Sequence, residues 1–123
     1  MIDHLGLRST DVARTIAFLE KALAPLGHTK QIDMPEHNVA AFGPSPQAAQ
    51  LWVGPSTSPS PVHLALSAKT RAEVDAFYAA AIAAGAKDNG KPGVRPHYHA
   101  GYYGAFVIDV DGNNLEAVCH APA

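Results

Sequence analysis

Three side chains in this sequence have types and settings that suit chemistry better than packing: His4, His63 and Glu116. His4 interrupts the apolar run Ile2-Asp3-His4-Leu5-Gly6-Leu7, and His63 interrupts Val62-His63-Leu64-Ala65-Leu66. Glu116 is the one carboxylate in Asn114-Leu115-Glu116-Ala117-Val118. Strand alternation puts Leu5 and Leu7 on one face and His4 on the other. The same pattern opposes Leu64 and Leu66 to His63, and Leu115 and Ala117 to Glu116. Two neutral imidazoles and a carboxylate are a donor set that holds a divalent metal and leaves positions open for water and substrate. A lone histidine is more often a packed or edge residue. Three such residues in matching settings favour the metal reading.

A second cluster lies between residues 95 and 103. Arg95 offers an anion contact, His97, His99 and Tyr103 are candidate proton-transfer groups, and Tyr98 and Tyr102 are candidate substrate-binding phenols. Seven histidines in 123 residues is a high count and agrees with a site.

The elements that would position these residues follow in order. Ile2 to Arg8 reads as a strand, and Ser9-Thr10-Asp11 supplies N-cap candidates for a helix over 12–26. Its apolar face is Ile16, Leu19, Leu23 and Leu26, widened by Phe18 and Ala22, and Pro25 and Gly27 end it. Short strands are expected over 28–34, 38–42 and 49–53, and the proline- and serine-rich stretch 55–61 reads as a linker. The pattern then restarts, with a strand over 62–67 and a helix from Thr70 to Gly85 with Val74, Phe77, Tyr78, Ala81 and Ile82 on its apolar face. His4 and His63, Phe18 and Phe77, and Leu23 and Ile82 are each 59 positions apart. A shared offset across strand and helix indicates an internal duplication. Residues 87–101, with three glycines and two prolines, read as a long loop holding at most one short strand. Strands over 103–109 and 114–119 then form a hairpin across Asp111-Gly112-Asn113. The first module is thus about 1–54 and the second about 62–120, within one domain.

Within the duplication, Gln50-Leu51-Trp52 stands where Asn114-Leu115-Glu116 stands in the second module. Trp52 is therefore the expected counterpart of Glu116, an indole where a fourth ligand would otherwise be. It would form an apolar wall for substrate.

Composition narrows the classes. A chain 47% hydrophobic and 16% charged is globular, not disordered. Nine basic residues against eleven acidic leave no basic stripe for nucleic acid. No apolar run approaches the roughly 20 residues a membrane helix needs. The single cysteine, Cys119, is compatible with a reducing cytoplasm.

Ile2-Asp3-His4-Leu5, Val62-His63-Leu64-Ala65 and Asp109-Val110-Asp111-Gly112-Asn113-Asn114-Leu115-Glu116 resemble motifs of the vicinal oxygen chelate superfamily. Its members include glyoxalase I, extradiol dioxygenases, fosfomycin-resistance transferases and bleomycin-binding proteins. The resemblance covers nearly the whole chain, with Val110 where the family more often has proline. It implies an α+β fold of two tandem βαβββ modules forming an incomplete, cup-shaped β-barrel with helices outside. It also implies one divalent metal (iron, manganese, nickel or zinc) on His4, His63 and Glu116, and a homodimer. Trp52 counts against a glyoxalase I site, which places a fourth ligand near that position. The expected function is Lewis-acid chemistry on a small oxygen-chelating substrate. The alternatives are an iron extradiol-type dioxygenase and a small-molecule-binding protein without turnover.

Overall fold

A computed structural model describes all residues 1–123, as two compact units, Met1–Ser60 and Pro61–Ala123. In unit 1, β1 (Leu5–Ser9) leads to α1 (Val12–Leu23), then β2 (Thr29–Met34), β3 (Val39–Gly43) and β4 (Leu51–Pro55). In unit 2, β5 (His63–Ser67) leads to α2 (Arg71–Ala83), then β6 (Lys87–Val94), β7 (Tyr103–Ile108) and β8 (Asn114–Cys119). The sheet orders, β1-β4-β3-β2 and β5-β8-β7-β6, are the same. In each, the first and last strands run parallel and the other neighbours antiparallel. The chain is two βαβββ modules, and both sheets are open.

Local chemistry explains the helices. Asp11 caps α1 by accepting from the Arg14 amide at 3.2 Å, and a 3-10 turn over Ala24–Leu26 carries it to Gly27, whose φ of 81° closes the end. Thr70 caps α2 by accepting from the Glu73 amide at 3.1 Å, while the Glu73 carboxylate accepts from the Lys69 amide at 2.7 Å. Val12, Phe18, Leu19, Ala22 and Leu23 are buried under α1, with Ile16 half-buried, and Val74, Phe77 and Ala81 under α2. Ile82, expected on that buried face, is exposed because it follows Ala81 round to the rim. Neither helix is long and apolar enough to cross a membrane.

Three expectations change. Strand β1 begins at Leu5, so His4 sits on the approach to it, where the ladder opens with the Leu5 amide donating to Gln50 at 2.8 Å. Strand β4 lies two residues later than the apolar run suggested, because a 3-10 turn over Pro46–Ala48 uses up the chain before it. Most of the expected loop 87–101 is the eight-residue strand β6, paired to β7 with two register shifts. Its glycines and Pro92 hide the strand pattern. They are tolerated because β6 is an edge strand that is bulged.

The β7–β8 turn forms as expected, with Gly112 at φ 87°. Buried Asp109 holds it: its carboxylate accepts from the Asp111 and Asn113 amides at 2.9 and 2.8 Å and from the Asn113 side chain at 2.9 Å. The Asn113 side-chain oxygen accepts from the Val62 amide at 2.9 Å, so the turn also fixes the start of β5. Burial pushes the Asp109 carboxyl above its ordinary value, against the lowering by these hydrogen bonds.

Candidate functional site

In unit 2, β5 lies parallel to β8 with Ala65 opposite Glu116, and β7 lies antiparallel with Phe106 opposite Glu116. This register gathers His63, Phe106 and Glu116 on one sheet face. Leu115, Ala117 and Cys119 fill the other face with no exposure, as the alternation predicts.

The Glu116 side chain is 3% exposed, and its Oε1 lies 3.2 Å from His63 Nε2. The Tyr102 hydroxyl donates to Glu116 Oε2. Gly104 makes room for this contact: a Cβ there would stand 3.2 Å from the Tyr102 ring and 3.3 Å from Oε2. Burial, and then the bond to Glu116, hold the Tyr102 phenol well above its ordinary pKa of 10.0.

His63 faces an oxygen acceptor on each ring nitrogen, since Nδ1 lies 3.1 Å from the Asn114 carbonyl. A neutral imidazole carries one N–H. If Nδ1 donates to Asn114, the Nε2 lone pair points at a carboxylate oxygen. Such a pair of donor atoms is satisfied by an electropositive species, either a proton or a metal ion. The backbone carbonyl behind Nδ1 is the usual partner that fixes the tautomer of a ligating histidine.

Other members of the 95–103 cluster surround this pair. The Arg95 guanidinium lies 5.5 Å from the Phe106 ring centroid and donates to the Lys91 carbonyl at 2.7 Å. Phe106 in turn stacks on His63 at 6.3 Å. Gly90 and Gly93 leave the space that Arg95 fills. The Arg95 and Tyr102 backbones pair at 2.7 Å and close the loop. His97, Tyr98, His99 and Tyr102 form a chain of ring contacts at 4.3 to 5.2 Å, and His99 Nε2 meets His120 Nδ1 at 2.9 Å.

Tyr103 is not brought to this set. Its hydroxyl donates to Asp75 of α2 at 2.7 Å and Arg71 lies 4.9 Å from its ring, so it faces the helix, opposite Glu116. The alternation Tyr103, Ala105, Val107 carried that signal. Phe106, Asn114 and His120 were missed. Cross-strand register identifies the first two; nothing local marks His120.

In unit 1, His4 is 61% exposed, and its Nδ1 lies 2.7 Å from the Asp3 carboxylate. Its ring meets Trp52 edge-on at 6.3 Å. Gly6 pairs with Trp52 in the register where Ala65 pairs with Glu116, so Trp52 does occupy the equivalent of the Glu116 position. The Trp52 indole donates to the Ala49 carbonyl at 2.9 Å. Beside it is a pocket of about 340 Å³ lined by His4, Gly6, Arg8, Val39, Trp52 and Gly54.

A family model described as Glyoxalase/Bleomycin resistance protein/Dioxygenase superfamily matches residues 1–117. The chain belongs to that superfamily. A glyoxalase/bleomycin resistance protein from Albidiferax ferrireducens is 25% identical, with a TM-score of 0.83 over 97% of this chain and 98% of that one. TioX from Micromonospora shares the fold at 17% identity and TM-score 0.73, covering 98% and 99% of the two chains. A maize glyoxalase I mutant shares it at 24% identity and TM-score 0.69; the match covers 95% of this chain and 46% of that one. No curated protein matches the chain. The superfamily's fold is one that binds small molecules and metal ions.

Neither unit by itself gathers three His, Cys, Asp or Glu side chains into a group that could hold a metal. Unit 2 does supply two donor atoms facing each other, His63 Nε2 and Glu116 Oε1. An imidazole nitrogen and a carboxylate oxygen are donor types that suit the divalent metal the superfamily implies.

Proposed function

We propose that this protein is a metal-dependent enzyme acting on a small molecule whose oxygen atoms chelate the ion. His63 and Glu116 hold the metal, and the family resemblance implies His4 as a further ligand. The observation that carries the reading is His63: it faces oxygen acceptors at 3.1 and 3.2 Å on its two ring nitrogens, one of them on a buried carboxylate. When bound, the metal supplies Lewis acidity that polarises a carbonyl or stabilises an enolate or alkoxide.

The chain's own residues do the rest. Tyr102 occupies Glu116 Oε2 and so turns Oε1 toward His63. The Asn114 carbonyl fixes the His63 tautomer, and Asp3 does the same for His4, where the partner on Nδ1 leaves Nε2 to ligate. Arg95, stacked on Phe106, offers a cation to an anionic substrate. His99, linked to His120, and His97 and Tyr98 beside it are the groups placed to move a proton. Trp52, with no ligating atom, forms an apolar wall. The resemblance also brings a homodimer, which light scattering on the purified protein checks.

Metal analysis of protein purified without chelators tests the reading. Wild type retains about one equivalent of manganese, iron, nickel or zinc, and Glu116→Ala and His63→Ala lose it. Full metal content in both variants would sink the assignment. Iron together with oxygen uptake on catechols would move the reaction to the dioxygenase class.

A further inference from the structure

The unit 1 pocket has a built character that packing does not require. Exposed Gly6 and buried Gly54 line it, and neither has the positive φ that calls for glycine on conformational grounds. A Cβ at Gly6 would meet nothing within 4 Å, so this glycine leaves open volume. A Cβ at Gly54 would stand 2.8 Å from Arg8 Nη1, so that glycine lets the guanidinium lie across β4. Trp52 and Val39 supply apolar walls. The exposed Arg8 side chain makes no hydrogen bond or ion pair within the chain, and its planar fork is left to meet a ligand. About 340 Å³ is within the range of small-ligand sites.

We infer that this pocket binds a flat, apolar monocarboxylate, its body against Trp52 and its carboxylate on Arg8. Arginine recognises a carboxylate through two parallel N–H···O bonds, and the indole presents a face to a ring or conjugated chain. The inference goes beyond the proposed function: it names a ligand class for the pocket of unit 1 and rests on residues other than His63 and Glu116.

Trp52 is the only tryptophan in the chain, so its fluorescence reports the pocket directly. Benzoate and its uncharged isostere benzamide are titrated with EDTA present, which keeps a carboxylate from being captured by a metal instead. Wild type gives a saturable change with benzoate, and benzamide binds about tenfold more weakly, as expected for one charge-assisted pair. Arg8→Gln brings benzoate down to the benzamide level and leaves benzamide unchanged. Gly6→Leu, which fills open space without a clash at its Cβ, removes both while keeping wild-type thermal stability. Glu116→Ala keeps benzoate binding even as it loses metal, so the two readings fail separately. The inference is overturned by no saturation in wild type, by equal benzoate affinity in Arg8→Gln, or by unchanged binding in a folded Gly6→Leu protein.

Discussion

Tyr102→Phe isolates one bond at the candidate centre. The hydroxyl is the donor to Glu116 Oε2, and the Glu116 side chain is 3% exposed. A hydrogen bond to a charged group contributes roughly 1.5–3 kcal/mol. Tyr102 is only partly buried, so water can replace the lost donor in part and the low end applies, about 1.5 kcal/mol. Phenylalanine keeps the ring contacts with Tyr98, His99 and His120, so no cavity opens. For a chain of this size that loss lowers Tm by about 5 °C.

The pH dependence gives a second reading of the same bond. Burial and the Glu116 contact raise the folded-state pKa above the 10.0 of a free phenol. The folded wild type therefore holds a proton that the unfolded chain releases, and this stabilisation is complete below pH 10 and falls as pH rises above it. Tyr102→Phe has no such proton, so its deficit against wild type narrows as pH rises above about 10. Urea denaturation of both proteins in EDTA across that range measures it. A deficit under about 0.5 kcal/mol at pH 7, the scatter of ordinary surface changes, would falsify the bond's role. So would a deficit that stays flat as the pH climbs.

Further expectations follow from the same structure. Asp109→Ala strands three donors at the β7–β8 turn, two of them backbone amides, and costs roughly 3 kcal/mol by chemical denaturation; a loss under about 1 kcal/mol means the network is already solvated. Gly90→Val has a φ of 150° to adopt and a Cβ 3.0 Å from Phe106, so it destabilises by about 1–3 kcal/mol and moves the Phe106 resonances in NMR spectra. Thr70→Ala removes the α2 cap and costs about 1 kcal/mol, with the metal content unaltered. Adding the physiological metal at about a hundred times its Kd stabilises wild type by about 2.7 kcal/mol and leaves Glu116→Ala unmoved; equal shifts in both would place the ion elsewhere.

What was legible in the sequence was whatever periodicity writes plainly. Strand β8 has the bounds its alternation predicts, and α1 with its following turn spans the expected 12–26. The offset of 59 became two sheets of the same strand order. Strand β6 was illegible because an edge strand needs few apolar side chains and tolerates the glycines and proline that mimic a loop. In β6 those glycines make room for Arg95. The faces of His63 and Glu116 were legible from alternation, and so was that of Tyr103, which the β7 pattern turns away from Glu116. The Tyr102 bond and the His99–His120 contact depend on how a loop closes on a strand, and no pattern of residue types encodes that.

The parallel pairing of first and last strands sets a timetable for the site. Leu5 meets Leu51 and Ala65 meets Glu116, so each sheet closes only when the far end of its own unit has been made. During synthesis unit 1 has all its strands before β5 exists, whereas the carboxylate of unit 2 arrives only after β5, β6 and β7 have been made. Until then β5 and β7 flank an empty lane with unpaired backbone on both sides, the state most open to pairing with the wrong strand. Slow decoding or truncation ahead of β8 would therefore yield a chain with its first module complete and its candidate metal centre missing.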